Sequence, residues 1–244
     1  MGEPIEEPVI RLQETGRGDI IKLALTNTKV REKTMTITML RVMIALGIVG
    51  HAINLYCDRI LSIFPKGTIK FDNIKEIEKD GVLAEMMEGV SSRIPLRSAV
   101  LGAFALVLEF FSYFALAVYT FERSQILGGV MFVTITFSCI VGAAYHVKCG
   151  FAEYVFLQLG RDRTAKDMML DLLNCAPILQ TCGVGVFVYI VTLIIAIVTG
   201  IIGFPLWALL FTIVPIILLL FPFKIVGTMH IAAIVSMLGW IFLL

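Results

Sequence analysis

One apolar stretch carries the strongest structural signal in the chain, and it reads Gly47-Ile-Val-Gly-His-Ala-Ile-Asn-Leu-Tyr-Cys-Asp58. Successive residues of a helix are turned by about 100°, so Gly47, His51, Asn54 and Asp58 fall within about 60° of one another. An apolar helix with one narrow polar stripe shields that stripe from its surroundings. The pattern therefore predicts that the polar stripe faces other polar side chains inside a bundle of helices.

The composition extends this interpretation to the whole chain. Of the 244 residues, 58% are hydrophobic and only 16% are charged, whereas ordinary globular chains are about half apolar and about a quarter charged. The apolar residues are also gathered in long runs, which a water-soluble core does not require. We therefore predict an integral membrane protein whose main partner is the lipid bilayer. The net charge of +1 predicts no nucleic-acid partner.

Six segments are long and apolar enough to cross a bilayer, which takes about 20 residues for about 30 Å of hydrocarbon. They lie at 36–57, 97–121, 125–148, 176–199, 204–222 and 225–244. The predicted fold class is thus all-α, a six-helix transmembrane bundle over residues 36–244, preceded by a polar N-terminal arm over residues 1–35. Pro215 should kink the fifth segment, because its ring removes one backbone hydrogen bond.

Six crossings place both termini on one side of the membrane, which we call side A. The long connections 59–95 and 149–175 then lie on the other side, side B. Basic residues outside the spans are more numerous on side B, but Lys22, Lys29, Arg31 and Lys33 are packed directly before the first span. Because the flank of the first helix usually sets orientation, we expect a cell-membrane protein with a cytoplasmic N-terminus.

Ionisable side chains inside the spans are the candidate functional residues, since each costs at least about 2.5–3.5 kcal/mol at the bilayer centre. They are His51, Glu109, His146 and His230, with Asp58 at the end of the first span. At 1.5 Å per residue, His51 and His230 lie about 22 Å from side A and Glu109 about 18 Å. His146 and Asp58 lie about 30 Å or more from side A. These depths predict one polar site that opens toward side B.

Three interpretations of this site remain open. Three imidazoles suit zinc, with His51, His146 and His230 as ligands and a water in the fourth position; Asp58 or Glu109 would then be the general base or orient a ligand. The same residues could instead relay protons or pass a small cation. They could also be structural, hydrogen-bonding between helices that small glycines bring close together.

Intramembrane His, Asp and Ser residues on several helices resemble the alkaline ceramidase and progestin/adiponectin-receptor group of membrane hydrolases. That resemblance implies a seven-helix bundle that holds zinc through three His, an Asp and a Ser. The sequence departs from the group in its last helix, where Ile234 follows His230 at the position of a second His, and at Gly47, where the group has Ser. The His51 segment and Gly142-Ala-Ala-Tyr-His146 are also similar to small uncharacterised bacterial membrane proteins.

The sequence thus predicts a multipass integral membrane protein with a polar site between helices. As an enzyme, it would hydrolyse a lipid-like amide or ester with zinc as cofactor. As a carrier, it would move a small cation or a proton-coupled solute. If it is neither an enzyme nor a carrier, it would be a structural or partner-binding membrane subunit.

Overall fold

The computed structural model describes residues 35–69 and 79–244. The predicted N-terminal arm, apart from its last residue, lies outside these ranges. The described chain is nearly all-α, which confirms the predicted class. One two-stranded antiparallel hairpin, Ile63–Phe64 (β1) paired with Gly67–Thr68 (β2), is an exception that the sequence did not predict.

The first three long helices form the central layer of the fold. Helix α1 spans Ile37–Ser62 and begins at Thr36, whose side chain accepts a hydrogen bond from the backbone N–H of Met39. The short helix α2, Val82–Met86, precedes α3, Arg93–Phe121. Helix α4 spans Gln125–Gln158. Helix α3 packs between α1 and α4, so the polar stripe of α1 faces another helix, as predicted.

The remaining helices are shorter and flank this layer. They are α5 (Arg163–Asn174), α6 (Cys182–Val198), α7 (Ile213–Leu220) and α8 (Thr228–Leu243), with 3-10 turns at Pro177–Thr181, Leu206–Phe211 and Phe221–Phe223. Helix α6 packs on α4, whereas α8 packs on α1. Helices α1, α3 and α8 consequently meet, and these are the helices that carry Asp58, Glu109 and His230.

Four helices of the described chain are long and apolar enough to cross a membrane. They are Ile37–Ser62, Arg93–Phe121, Gln125–Gln158 and Pro177–Val198. The last two predicted spans, 204–222 and 225–244, contain only the shorter apolar helices Ile213–Phe223 and Thr228–Leu243. The structure therefore supports a membrane protein but does not confirm a count of six spans. Helix α4 continues ten residues beyond position 148, the end of the third predicted span.

The predicted kink at Pro215 is wrong. The fifth segment is interrupted earlier, at Thr212, whose backbone is extended between the 3-10 turn and α7. Pro215 is the third residue of α7, a position whose backbone N–H has no partner within a helix. The hydroxyl of Ser236 donates to the carbonyl of Phe211 across the interruption, at 2.5 Å, which satisfies a group that the broken helix leaves free.

The described parts of the two long connections, 59–69, 79–95 and 149–175, carry secondary structure of their own. One hydrophobic cluster joins the hairpin, α2, the last turns of α4 and the first half of α5. We call the unit formed by these elements the cap. The cluster consists of Phe64, Leu83, Met86, Met87, Val90, Ala152, Phe156, Leu157, Ala165 and Met169. Because α4 has 34 residues, it is about 51 Å long at 1.5 Å per residue. It therefore exceeds the hydrocarbon thickness of about 30 Å and is long enough to hold the cap outside such a layer.

Candidate functional site

Two glycines of the α1 stripe set the distance between α1 and α3. A Cβ at Gly47 would overlap the side chain of Ser112, and a Cβ at Gly50 would lie 2.6 Å from the carbonyl oxygen of Ala105. No side chain fits in either space, so the two backbones approach closely. This contact places His51 and Asn54, one and two turns further along α1, opposite Glu109.

A third glycine positions the helix that carries His230. Gly227 has φ 79°, in the left-handed region that favours glycine, and a Cβ there would overlap Leu55 of α1. The chain can therefore turn into α8 directly against α1. His230 follows in the first turn of α8, where its backbone N–H donates to the carbonyl of Gly227 at 3.0 Å.

Three side-chain atoms from α1, α3 and α8 converge at one point. The Nδ1 atom of His51 lies 3.1 Å from Oε1 of Glu109 and 3.1 Å from Nδ1 of His230. Nδ1 of His230 lies 3.3 Å from the same Glu109 oxygen. The three atoms form a nearly equilateral triangle, which we call the His–Glu triangle. Two further polar side chains hold it in place.

Asn54 and Asp58 are those side chains, and both belong to the α1 stripe. The side-chain amide of Asn54 donates to Oε1 of Glu109 at 2.7 Å. Asp58 Oδ2 lies 3.3 Å from Nε2 of His230, the ring nitrogen that points away from the triangle. Asn54 thus fixes the carboxylate, and Asp58 fixes the ring of His230.

The site is buried at the triangle and opens toward Asp58. The side chains of His51 and Glu109 are 3% and 5% exposed, whereas those of His230 and Asp58 are 17% and 32% exposed. Exposure therefore rises along the line from His51 to Asp58. Asp58 lies near the C-terminal end of α1, so the site is most exposed toward that end of the helix.

Hydrogen bonds alone cannot satisfy all three contacts of the triangle. Each imidazole Nδ1 carries either one proton or one lone pair, and the carboxylate oxygen of Glu109 accepts. If both imidazoles donate to Glu109, two N–H groups face each other across 3.1 Å. If one donates to the other instead, a lone pair faces the carboxylate. At most two of the three contacts can be hydrogen bonds, whereas a cation between the three atoms satisfies all of them.

Two buried polar atoms beside the triangle have no hydrogen-bond partner among the residues that the structure describes. They are Nε2 of His51 and Oδ1 of Asn54. The ring of His51 instead meets Tyr113 edge to face, with ring centroids 5.7 Å apart. With Nε2 of His51 left without an acceptor, Nδ1 in the triangle is the nitrogen that interacts with the other site residues.

His146 does not belong to this group. Its Nε2 lies 3.2 Å from the carbonyl oxygen and 3.3 Å from the hydroxyl of Ser98, and its ring lies against Gly102 of α3. The Ser98 hydroxyl in turn donates to the carbonyl of Cys57 at 3.2 Å. His146 thus joins α4 to α3, and the predicted set of three imidazoles does not form.

Of the five site residues predicted from sequence, four are connected by the structure. His51, Glu109 and His230 form a group that could hold a metal ion, and Asp58 contacts His230. Sequence reasoning missed the contact between Asn54 and Glu109, although Asn54 already stood on the stripe. It also missed Ser98, which has no signal beyond being a serine in an apolar segment.

Fold and site together define a helical protein of the membrane type with a buried His/Glu site. The chain belongs to the DUF6796 family, a family of unknown function, whose model matches residues 32–244. No curated protein and no solved structure matches the chain. The comparisons therefore give no support to the resemblance with the alkaline ceramidase and progestin/adiponectin-receptor group.

Proposed function

We propose that this protein is a multipass metalloprotein of the cell membrane, with a cytoplasmic N-terminus, whose His–Glu triangle binds zinc. The observation that carries the proposal is the set of three mutual distances, 3.1, 3.1 and 3.3 Å. In tetrahedral zinc sites the metal lies about 2.0–2.2 Å from nitrogen and oxygen ligands, so neighbouring ligand atoms are about 3.3–3.6 Å apart. The triangle therefore needs to expand by only a few tenths of an ångström.

The residue types favour a catalytic centre over a structural one. Structural zinc sites usually have four protein ligands, mostly cysteines, whereas catalytic sites have three protein ligands and a water. Two imidazoles with one carboxylate are a known catalytic set. The contact between Asp58 and Nε2 of His230 adds the carboxylate–histidine arrangement that orients a ligand and raises its basicity.

Hydrolysis of a lipid-like amide or ester is the reaction that this centre would suit. Zinc lowers the pKa of a bound water to about 7 and polarises a carbonyl. At such a centre, held by His51, Glu109 and His230, water would add to the carbonyl carbon, the C–N or C–O bond would break, and the leaving group would take the proton. A lipid-like substrate is favoured because the triangle lies between apolar helices and opens at the end of α1 that carries the partly exposed Asp58.

Metal analysis of the full-length protein tests this proposal. Protein purified in mild detergent should contain about one zinc per chain, and His51→Ala and His230→Ala should lose it. His146→Ala is the matched control, because it removes the same side chain from the same bundle outside the triangle. Zinc-free protein with the native helix content, or equal zinc loss in all three variants, would contradict the proposal.

A proton or small-cation path is the second candidate, and a different observation favours it. Asp58, His230, Glu109 and His51 form an unbroken chain with steps of 3.3, 3.3 and 3.1 Å, which runs from a partly exposed carboxylate to a buried imidazole. Such chains conduct protons in pumps and transporters. In proteoliposomes, this candidate predicts a proton or cation flux that Glu109→Gln abolishes, whereas the hydrolase predicts no flux in either protein.

A further inference from the structure

The cap contains a cavity of about 170 Å³ that is separate from the His–Glu triangle. It is bounded by Phe156 near the end of α4, by Asp80 and Gly81 with the first turn of α2, and by the start of α5. An engineered protein cavity of about 150 Å³ holds a benzene molecule, so this one has room for a group of that size. Its lining differs from an ordinary gap in the packing, because all of its polar residues are charged.

Three cations and two carboxylates line the cavity. The cations are Arg161, Arg163 and Lys166, and the carboxylates are Asp80 and Asp162. Asp162 is engaged elsewhere, since its Oδ1 accepts the backbone N–H of Ala165 at 2.8 Å and caps α5. Asp80 pairs with Lys166 and lies 3.9 Å from Arg163. Among the described residues that line the cavity, the cations outnumber the carboxylates by one.

Arg161 provides a second, independent sign that an acceptor belongs here. Its Nη2 donates to the carbonyl of Val90 at 2.8 Å, which fixes the guanidinium. Its Nε is buried and has no hydrogen-bond partner within residues 35–69 and 79–244. A buried charged donor without an acceptor is costly, and an oxygen supplied by a ligand would remove that cost.

We infer that the cap cavity binds a phosphate group through Arg161, Arg163 and Lys166. A phosphate has several strong acceptor oxygens, and planar guanidinium groups match its geometry. The group can belong to a lipid headgroup or to a soluble phosphate, because α4 is long enough to hold the cap outside the hydrocarbon layer, where both are present. The inference does not depend on the metal proposed for the triangle.

Binding to two probes tests the inference and separates the two sources. Delipidated full-length protein in a neutral detergent is titrated with inorganic phosphate, and then with phosphatidate in phosphatidylcholine nanodiscs. Saturation by inorganic phosphate identifies a soluble phosphate ligand, and saturation by phosphatidate alone identifies a headgroup. Saturation by neither probe would overturn the inference.

Charge variants connect the binding to this cavity. Arg163→Gln should weaken binding of the active probe about fivefold, and its side chain is 78% exposed, so folding should survive. Asp80→Asn should tighten binding by a similar factor, because it removes a negative charge that competes with the phosphate. Arg123→Gln, in the turn at the opposite end of α4, removes the same charge as Arg163→Gln and should change nothing.

The opposite signs of the two cap variants distinguish a ligand site from a structural ion pair. If the three side chains served only to hold the cap together, Asp80→Asn and Arg163→Gln would both lower the melting temperature, and neither would tighten binding. That outcome, or an equal effect of Arg123→Gln, would overturn the inference.

Discussion

Replacing Asp58 with Asn should weaken metal binding without unfolding the protein. Asp58 touches the proposed centre only through His230, with 3.3 Å between Oδ2 and Nε2. As a zinc ligand the imidazole of His230 is neutral, and its N–H would donate to the charged Asp58 carboxylate; a hydrogen bond to a charged group is worth about 1.5–3 kcal/mol. A loss of about 1.4 kcal/mol is a factor of ten in affinity. Mutating a residue that hydrogen-bonds a metal ligand generally lowers metal affinity by about 10- to 100-fold. Because the Asp58 side chain is a third exposed, we expect the lower end, about tenfold.

Competition with a chromophoric zinc chelator measures this affinity in detergent, and the melting temperature without metal reports on folding. Asp167→Asn makes the same change at an exposed position of α5 and should leave zinc affinity unchanged. The reasoning is refuted if Asp58→Asn binds zinc as tightly as the wild type while His230→Ala does not bind it. His230 would then act as a ligand without any contribution from Asp58.

Two further predictions concern the fold. Gly50→Val should destabilise the bundle by about 1–3 kcal/mol or more, since a Cβ at Gly50 would lie 2.6 Å from the carbonyl oxygen of Ala105. The control is Gly129→Val, at a helical glycine with open space around its Cβ position. Equal melting temperatures of the two variants would contradict the close approach of α1 and α3. In the cap, the ion pair with Lys166 holds the pKa of Asp80 below its ordinary value of 3.8. Its stabilising contribution is therefore complete above pH 3.8 and lost as the pH falls through the lower, folded-state pKa. Asp80→Asn should flatten the dependence of melting temperature on pH in that acid range, and an unchanged dependence would show that Asp80 does not contribute to it.

The stripe on α1 could be predicted because its signal is local. His51, Asn54 and Asp58 share one face of a helix whatever the helix packs against. Counting 1.5 Å per residue also placed His51, Glu109 and His230 at nearly the same depth, and the structure brings those three together.

His146 shows where such counting stops. Depth along a helix says nothing about the direction in which a side chain points between its neighbours. His146 lies on α4, on the other side of α3 from α1, and it meets Ser98 and Gly102. The depth of His146 is close to that of Asp58, which does contact the site, so the order in which the helices pack is what excludes His146, and that order depends on contacts between distant segments.

The fifth predicted segment is not one continuous helix, and the reason is different. Hydropathy reports that residues 204–222 are apolar, but it does not report whether their backbone is continuous. The interruption at Thr212 depends on Ser236 of α8, whose hydroxyl satisfies the carbonyl of Phe211. The cap was missed similarly, because its apolar cluster is assembled from two connections that each look polar in sequence.

X-ray absorption at the zinc edge of the purified protein tests the central claim most directly. We predict a first shell of nitrogen and oxygen atoms at about 2.0–2.1 Å, with the outer-shell scattering of two imidazoles, and the loss of one imidazole in His230→Ala. Sulfur at about 2.3 Å would assign the metal to cysteines. That result, or a spectrum that His51→Ala and His230→Ala leave unchanged, would contradict a metal centre at His51, Glu109 and His230.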